Sequence, residues 1–560
     1  MAKLISLLLA LLICLTPSLC CLEYQKQALL HFKASLLNAT GFSSSESHEL
    51  HLESWNSSSV CCNWNRVNCS SRFESRSVIG IDLIEVVQSK LVPSTILTPL
   101  FHIRTLRQLL ISYNNIQGEL SGNGLANLSK LRELDLSSNH FNGVIPFQLF
   151  HLRYLQYLDL SYNSFHGILS GEVGSLQNLT VLNLNYNSLD RNIPKEIGNM
   201  TKLQQLFLCG NNFFGEIPSS ILNLKELKTL DLGSNSLSME IPMDIGNLSK
   251  ITTLALNNNK LIGTIPLSIQ KLEKLETLQL QKNLLIGEIP DWISTQKTLQ
   301  ILDLSKNQLE GMLPQWLAEM DINFIILSDN NLTGKVPESI TYIYGLSGMS
   351  IPNFTTQTKF NDLIVNWKKS KQGLSWNNLK LYSLLDLSMN QLSGKIPASL
   401  GSLKALKLLN ISHNIFSGMI STSLGDLENL ESLDLSYNNL SGSIPQSLSN
   451  LQQLTILDVS NNKLTGKIPV GSQMDTMNNP KFYANNSGLC GMQIQVPCLE
   501  DLPPTEPPKV KSKETWFLWE GVGIGYAVGF FVAVGILYIS GYFVPAKPPN
   551  YRRQQRRQRI

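Results

Sequence analysis

"YLDLSYNSFHGIL", residues 157–169, returns in altered form as "LLNISHNIFSGMI" at 408–420 and "SLDLSYNNLSGSI" at 432–444. The shared pattern is LxxLxLxxN, in which Leu, Ile, Val, Phe or Tyr fills each apolar position. Its asparagine occurs fourteen times, at residues 114, 139, 163, 187, 211, 235, 259, 283, 307, 330, 390, 414, 438 and 462. The steps between these asparagines are 23 to 25 residues, except for one step of 60. So regular a period predicts a repeat architecture.

Each repeat unit contains a strand signal followed by turn signals. The LxL core alternates as a short strand with one buried face does, and the asparagine amide can satisfy backbone groups that a turn leaves unpaired. A glycine four residues later permits a positive φ, and a proline usually follows at seven residues. In three units a serine replaces that proline and predicts a looser convex side (Ser121, Ser170 and Ser421).

One unit cannot bury its own leucines, whereas stacked units bury them between neighbours. The full repeat, "LxxLxLSxNxLSGxIPxxLGxLxxL", resembles the plant-type leucine-rich repeat over residues 78–470. That resemblance implies a curved solenoid with a parallel concave β-sheet and a convex side of 3-10 or irregular structure. We assign the first block of repeats to residues 78–345 and the last four repeats to residues 382–477.

Both ends of the chain carry apolar segments. "MAKLISLLLALLICLTPSLC", residues 1–20, has the layout of a secretory signal peptide, with a short membrane anchor as the alternative. Residues 521–544 contain no charged side chain and are long enough to cross a bilayer as a helix. The basic tail at 545–560 predicts a single-pass, type I protein of the plasma membrane with its repeats outside the cell.

Six cysteines flank the repeats, as expected where terminal units must be capped in an oxidising compartment. The expected disulfides are Cys21–Cys61 and Cys62–Cys69 in an N-terminal cap (21–77) and Cys490–Cys498 in a C-terminal cap (478–498). A metal site is the weaker alternative because paired CxxC halves are missing. Cys209 is left over, and we expect it to be partly exposed, as a harmless free thiol or an intermolecular contact.

Asparagine-linked glycosylation is the modification that a secretory route predicts. The chain has twelve N-x-S/T sequons, at Asn38, Asn56, Asn68, Asn127, Asn178, Asn199, Asn247, Asn331, Asn353, Asn410, Asn439 and Asn485. Asn410 belongs to a strand of the last four repeats, so its glycan is expected on the concave side.

The 60-residue step predicts an insertion, the island, at residues 346–381. Its aromatic and basic residues favour a folded flap over the concave face rather than disorder (Trp367, Trp376, Lys368, Lys369 and Lys371). After the C-terminal cap, residues 499–520 contain four prolines within six residues and predict an extended stalk.

The order of these parts resembles that of the plant leucine-rich-repeat receptor-like proteins. "CLEYQKQALLHFK" and "SWNSSSVCCNWNRVNC" are similar to that family's N-terminal cap, "LIVNWKKSKQGL" to its island junction and "YANNSGLCG" to its C-terminal cap. The resemblance implies constitutive pairing with an adaptor receptor-like kinase through the membrane helix, and recruitment of a co-receptor kinase on ligand binding. Gly521, Gly525 and Gly529 have the spacing for close helix pairing, although glycine is common in membrane helices generally.

Residues between the strand leucines project from the concave face, where exposed aromatic rings are good anchors for a peptide or glycan. The candidate ligand-binding residues are Tyr157, Tyr162, Tyr186, Phe207, Gln279, Gln281 and Lys282. The resemblance places co-receptor docking on the last repeats, where the candidates are Ser412, His413, Ser436 and Tyr437.

The sequence therefore predicts a cell-surface receptor that binds an extracellular peptide, protein or glycan. Sixteen residues after the span cannot hold a kinase, so the signal is expected to pass through partner kinases, with a role in plant defence. The alternatives are a developmental peptide receptor of the same architecture and a membrane-tethered inhibitor of wall-degrading enzymes. We expect neither enzymatic activity nor a cofactor, a catalytic metal or a nucleic-acid partner, because no such constellation of residues occurs.

Overall fold

The computed structural model describes residues 21–42, 50–70, 76–88, 90–343, 346, 363–374, 381–498 and 519–541. The chain divides into two compact units, residues 1–498 and 499–560. The predicted signal peptide, residues 499–518 of the predicted stalk and the basic tail lie outside the described residues, whereas residues 519–520 of the stalk are the start of a helix.

The first unit is built around one long sheet. In the described residues this sheet has sixteen strands, at Val67–Cys69, Val78–Asp82, Gln108–Leu110, Glu133–Asp135, Tyr157–Asp159, Val181–Asn183, Gln205–Phe207, Thr229–Asp231, Thr253–Ala255, Thr277–Gln279, Ile301–Asp303, Phe324–Ile326, Leu384–Asp386, Leu408–Asn410, Ser432–Asp434 and Ile456–Asp458. The first pair is antiparallel and each later pair is parallel. This is the concave sheet that the repeat pattern predicts.

A second set of short strands follows the turn of each coil. They are Val92–Pro93, Ile116–Glu119, His140–Gly143, Ser164–Ile168, Ser188–Arg191, Asn212–Gly215, Ser236–Glu240, Lys260–Ile262, Ile286–Glu288, Gln308–Glu310, Thr333–Lys335, Gln391–Gly394, Ile415–Gly418, Asn439–Gly442, Lys463–Lys467 and Gly488–Cys490. The island contributes an antiparallel pair, Leu363–Trp367 and Ser370–Leu374.

The return side of most coils is a short 3-10 helix, as predicted, the coil after Asn114 has the α-helix Gly122–Ala126 there instead, and further 3-10 helices lie in the caps. These helices are Cys61–Asn63, Ser94–Leu97, Leu100–His102, Phe147–His151, Gly171–Ser175, Lys195–Asn199, Ser219–Asn223, Ile245–Asn247, Leu267–Lys271, Asp291–Thr295, Gln315–Glu319, Glu338–Tyr342, Ala398–Ser402, Thr422–Asp426, Gln446–Asn450, Ser472–Thr476, Pro480–Phe482 and Met492–Ile494. The α-helices are Glu23–Thr40, Gly122–Ala126 and Trp519–Ile539.

The side chain of the asparagine of each motif, here called the ladder asparagine, joins its own coil to the preceding one, and each coil is named after it. In the Asn259 coil, Nδ2 donates to the carbonyl oxygen of Leu232 in the preceding coil at 3.0 Å and to that of Leu256 in its own coil at 3.1 Å. Its Oδ1 accepts from the amide of Leu237 at 2.9 Å. The residue before it, Asn258, has a positive φ of 55°, which aims the amide inward. One side chain thus satisfies backbone groups of two coils that water cannot reach.

The ladder has one more rung than the motif predicted. Asn486, in the C-terminal cap, follows Asn462 by one 24-residue step. Its Nδ2 donates to Val459 at 3.0 Å and to Tyr483 at 3.1 Å, and its Oδ1 accepts from Leu464 at 2.9 Å. The cap therefore begins as a further coil that has lost its leucines but kept its asparagine.

A second set of glycines fixes the spacing between coils on the convex side. A Cβ atom placed on Gly246 would lie 1.7 Å from the backbone oxygen of Ser268 in the next coil. Four other glycines show the same approach, within 2.2–2.4 Å of a backbone oxygen (Gly174, Gly198, Gly401 and Gly425). The LGxL segment of the repeat thus requires glycine because adjacent backbones touch there.

The island leaves the solenoid without interrupting it. Phe324–Ile326 pairs directly with Leu384–Asp386, so the concave sheet continues across the insertion. Leu346 is buried in the core, and its carbonyl oxygen accepts a hydrogen bond from the amide of Ala405. The insertion therefore begins after Leu346, one residue later than the period suggested.

Both caps are disulfide-bonded, through the pairs Cys21–Cys61, Cys62–Cys69 and Cys490–Cys498. At the N-terminal end, Gln25 covers the first parallel strand: its Oε1 accepts from the amide of Val78 at 2.8 Å, and its Nε2 donates to Thr105 at 2.7 Å. Helix Glu23–Thr40 stops at Gly41, whose φ is 70°. Each cap supplies the partners that a terminal coil lacks.

Candidate recognition surface

Two stacked tyrosines form an aromatic feature of the concave edge. The rings of Tyr162 and Tyr186 are 4.6 Å apart between centroids and inclined by 24°. Each precedes a ladder asparagine and has a positive φ, which points its ring outward. A Cβ on Gly210 would lie 2.6 Å from the Tyr186 ring, so glycine in the next coil makes room for it. We call Tyr162 and Tyr186 the tyrosine platform.

Beside the platform, the polar side chains of the concave strands are bonded to one another. The Tyr157 hydroxyl donates to Oδ2 of Asp159 at 3.3 Å, and Nδ2 of Asn183 donates to the same oxygen at 2.8 Å. Burial raises the pKa of Tyr157, and the nearby Asp159 carboxylate raises it further. The Tyr157 hydroxyl therefore stays protonated and acts as an internal donor, which leaves its ring face as the part available to a ligand.

Two expectations for this region are wrong. Phe207 is 7% exposed, because it lies between Asn183 and Asp231 of the flanking strands, so it forms part of the floor and is not a free anchor. Cys209 is buried, not partly exposed. Its thiol hydrogen-bonds to Asp231, whose pKa is raised to about 6 by burial despite bonds from Gly233 and Cys209.

The next three coils place a row of threonines in the floor. Thr229, Thr253 and Thr277 pair in register on adjacent strands and are at most 1% exposed. Among the residues that the structure describes, their hydroxyls have no hydrogen-bond partner, and neither has the buried Oε1 of Gln281. The sequence analysis missed this row, although "TLDL", "TLAL" and "TLQL" repeat it at 24-residue intervals. The other candidates of this stretch, Gln279 and Lys282, are partly buried at its margin.

An apolar wall follows the threonine row. Ile301, Phe324, Ile326, Leu384 and Leu408 form a buried cluster on the concave strands of four successive coils, and Leu374 of the island packs on it. The sequence analysis did not single out this wall. The signal was present, since bulky apolar residues occupy both slots of the core at "FIIL" and the first slot at "ILDL", "LLDL" and "LLNI".

The island strands form a two-residue hairpin, here called the island hairpin, in which Trp367 pairs with Ser370. Lys368 and Lys369 make its turn, with φ of 52° and 62°. Nζ of Lys368 lies 3.1 Å from Oε2 of Glu431. The predicted flap thus contacts the concave face of the last coils. The side chains of Trp367 and Lys371, and all of Trp376, lie outside the described residues.

The last repeats support only half of the predicted co-receptor set. The rings of His413 and Tyr437 are exposed and stacked, with centroids 4.1 Å apart. Ser412 and Ser436 are buried, and their hydroxyls donate to Asn410 at 2.8 Å and Asp434 at 2.6 Å, so both serines belong to the turns.

Asn410 is also a correction, because its amide is buried and donates to Ser388 at 3.1 Å, which removes it as a glycan site on this face of the folded chain. Eight sequon asparagines are exposed (Asn38, Asn56, Asn68, Asn199, Asn247, Asn331, Asn439 and Asn485), and two are half-buried (Asn127 and Asn178). Asn353 lies outside the described residues. Glycosylation at these sites remains a prediction.

Family models match most of the solenoid and its N-terminal cap. "Leucine rich repeat N-terminal domain" matches residues 22–70, "Leucine-rich repeat region" matches 89–212, and "Leucine rich repeat" matches 417–464. Among curated proteins, the chain is 35% identical over 140 residues to "Receptor-like protein 46" of Arabidopsis thaliana, covering 24% of this chain and 16% of that protein. It is 34% identical over 135 residues to "Receptor-like protein EIX2" of Solanum lycopersicum, covering 23% and 12%.

The chain belongs to the plant leucine-rich-repeat receptor-like proteins. The matched stretches span less than a fifth of the curated relatives. Solved receptor ectodomains extend the likeness of this receptor-like protein over the solenoid. The ectodomain of the Arabidopsis thaliana receptor kinase GASSHO1/SCHENGEN3, in complex with CASPARIAN STRIP INTEGRITY FACTOR 2, is 30% identical with a TM-score of 0.65, and the match covers 83% of this chain and 53% of that one. The plant peptide hormone receptor RGFR1, in complex with RGF2, is 29% identical with a TM-score of 0.51, covering 76% and 72%.

In the described part of its second unit, residues 519–541, this receptor-like protein has the helix Trp519–Ile539, of which Val522–Ile539 is long and apolar enough to cross a membrane. Together with the family, this helix indicates anchoring by a single span. Gly521, Gly525 and Gly529 recur on it at intervals of four residues, so they share one face.

Proposed function

We propose that this receptor-like protein is a cell-surface receptor that binds an extracellular peptide along its concave face. The tyrosine platform is the observation that carries the proposal, because two rings stacked on a rigid edge and backed by glycine offer apolar area at little entropic cost. The threonine row supports the same face from below, but its hydroxyls are buried in the floor and are not assigned to the peptide. The likeness to receptor ectodomains solved with CASPARIAN STRIP INTEGRITY FACTOR 2 and with RGF2 supports a peptide over a glycan.

Capture of native peptides tests the proposal. Full-length protein in lipid nanodiscs is incubated with extracellular fluid from plant tissue, and bound peptides are identified by mass spectrometry. Tyr186→Ala removes one of the two rings of the tyrosine platform and is expected to lower the yield of specific peptides at least tenfold. Tyr154→Ala is the matched control, since Tyr154 is 60% exposed but lies outside the concave strands. Equal capture by native protein and Tyr186→Ala contradicts the proposal.

We further propose that the repeats face the cell exterior at the plasma membrane and that partner kinases carry the signal inward. Small residues on one face of a membrane helix allow close approach of a second helix, which supports pairing of an adaptor kinase at Gly521, Gly525 and Gly529. The exposed His413–Tyr437 stack on the last coils supports docking of a co-receptor kinase there.

Affinity purification from plant membranes tests the pairing. Gly525→Leu is expected to lose the adaptor kinase that native protein retains. Gly523→Leu is the control, because Gly523 lies two residues before Gly525 and therefore on the opposite face of the same helix. Retention of the same kinase by both variants contradicts pairing through this face.

The role in plant defence rests on the family resemblance, and a developmental receptor uses the same architecture. The origin of the captured peptide separates them: a microbial peptide supports defence, and a peptide encoded by the host plant's own hormone precursors supports development. A wall-degrading enzyme captured through the platform favours a tethered inhibitor instead.

A further inference from the structure

The turn of the island hairpin is made by residues that a turn does not favour. A two-residue hairpin turn of type I′ requires positive φ at both central positions, and Asn-Gly or Asp-Gly is the usual choice there. This chain has Lys368 and Lys369 there, both in the left-handed region. Backbone strain of this kind persists where other contacts hold it, and it points to a role for the two side chains.

Both lysines reach carboxylates on the concave face. Nζ of Lys369 hydrogen-bonds to Oδ2 of Asp434 and lies 2.7 Å from Oδ2 of Asp458. The two aspartates occupy the same slot on neighbouring strands of the concave sheet, Ser432–Asp434 and Ile456–Asp458, so one ammonium group bridges two coils. Lys368 pairs with Glu431, which also accepts from Lys407 at 2.9 Å. We call Glu431, Asp434 and Asp458 the acidic cradle.

The two aspartates of the acidic cradle are largely shielded from solvent, so their ion pairs with Lys369 are less weakened by water than exposed pairs are. The side chains of Asp434 and Asp458 are 13% and 9% exposed, whereas ion pairs elsewhere on the solenoid, such as Lys250–Glu226, are 46% exposed on both partners. Two neighbouring buried carboxylates repel each other unless a cation lies between them. Lys369 supplies that cation from a residue 65 positions before Asp434.

The other end of the hairpin is held by apolar contact. Leu374, the last residue of the second strand, packs on the wall of Ile301, Phe324, Ile326, Leu384 and Leu408. That wall belongs to coils on both sides of the insertion. The hairpin is therefore fixed at its base to the junction of the two repeat blocks and at its tip to the third and fourth coils of the last block.

We propose that the island hairpin is a strap, latched by Lys369 in the acidic cradle, that closes the concave face of the last coils and covers the apolar wall. The threonine row and the tyrosine platform lie on coils before the strap, so a peptide bound there meets the hairpin at the wall. Release of the latch exposes the wall and lengthens the apolar part of the concave face. The latch itself does not depend on the function proposed above.

Hydrogen–deuterium exchange of the full-length protein in lipid nanodiscs tests the latch. Lys369→Glu is expected to speed exchange of the amides of residues 363–374 at least tenfold and to raise the fluorescence of an added apolar dye, because the wall becomes accessible. Lys250→Glu is the matched control, since it reverses one charge of an exposed pair, and it is expected to change neither signal.

A second variant avoids confusing release with misfolding. Asp434→Asn with Asp458→Asn removes both charges but preserves the turn, because Asn183 and Asn410 hold the same slot and their Oδ1 atoms accept the same backbone bond. This double variant is expected to release the hairpin as Lys369→Glu does, with an unchanged melting temperature for the solenoid.

The combination Lys368→Asn with Lys369→Gly separates the latch from the turn. It gives the hairpin its preferred turn residues while removing both lysines. Faster exchange at residues 363–374 in this variant supports the latch. Slower exchange there, or exchange unchanged in Lys369→Glu and in the double aspartate variant, overturns it.

Discussion

Nδ2 of Asn390 lies 3.0 Å from the carbonyl oxygen of Leu327, although 63 residues separate them along the chain. In the next coil Nδ2 of Asn414 lies 3.0 Å from the oxygen of Leu387, only 27 residues away. The ladder thus crosses the island with the geometry it has elsewhere. The insertion therefore lies within one coil of the chain and does not interrupt the ladder.

Removal of the island is therefore expected to leave the solenoid folded. Deleting residues 347–382 joins Leu346 to Ser383 and restores the 24-residue step. The variant is expected to elute as a monodisperse species with the far-ultraviolet circular dichroism of native protein. It should also bind more apolar dye, since Leu374 no longer covers the wall. Loss of the cooperative thermal transition contradicts this expectation.

The ladder predicts that removing the amide of a single ladder asparagine lowers the free energy of unfolding considerably. Asn283 donates to Leu256 and Leu280 at 3.0 Å each and accepts from Leu261 at 3.1 Å, all in buried surroundings. Asn283→Ala leaves these groups unpaired and is expected to cost about 2–4 kcal/mol, because each buried polar group without a partner costs about 1–3 kcal/mol.

Guanidinium unfolding of the native protein and Asn283→Ala measures this cost as a shift of the midpoint. Asn223→Ala is the control, because Asn223 is exposed on the convex helix Ser219–Asn223. Similar midpoints for the two variants contradict the role assigned to the ladder.

Close backbone contact between coils predicts that two glycine substitutions reduce the stability of the solenoid by very different amounts. In Gly246→Ala the new methyl group meets the backbone of Ser268, which cannot move without separating two coils, whereas in Gly171→Ala it meets the flexible end of Glu196 at 3.0 Å. We expect Gly246→Ala to cost about 1–3 kcal/mol, the usual range for overpacking. Gly171→Ala should lie within about 0.5 kcal/mol of native protein. Thermal unfolding of both variants gives the comparison, and equal melting temperatures contradict the contact.

The raised pKa of Asp303 predicts that the stability of the protein falls as the pH rises. Burial raises its pKa to about 7, despite hydrogen bonds to Oδ1 from the amide and the hydroxyl of Ser305. The folded state then binds a proton that the unfolded state has released, so stability declines between about pH 4 and pH 7 and the penalty is complete above pH 7. The full shift corresponds to about 4 kcal/mol at most.

Asp303→Asn removes this penalty and is expected to raise the melting temperature more at pH 8 than at pH 5. Asp135→Asn is the control, since Asp135 makes the same bonds to Ser137 but its side chain is only partly buried. An equal gain at both pH values shows that the Asp303 carboxyl is not protonated in the folded state.

Several features of this protein follow from the sequence alone, because they depend on residue type and period. Stacked leucines and inward asparagines impose the solenoid wherever LxxLxLxxN recurs, and the 60-residue step locates the island to within one residue. Short cysteine spacings identified the disulfides Cys62–Cys69 and Cys490–Cys498, and the remaining cysteine of the N-terminal pair, Cys61, was assigned to Cys21. Even the Asn486 rung could be foreseen, since it keeps the 24-residue step although its unit has lost the leucines.

Exposure and long-range pairing were decided by the tertiary structure. The repeat pattern places its variable residues on the concave side, but the neighbours of each residue determine whether its side chain is exposed. For this reason Phe207, Ser412 and Ser436 are buried, whereas Tyr162 and Tyr437 are exposed. The pairing of Lys369 with Asp434 and Asp458 joins residues separated by several coils, and no period relates them. Local pattern sets the repeat, whereas the curvature of the stack and the path of the island set which side chains meet.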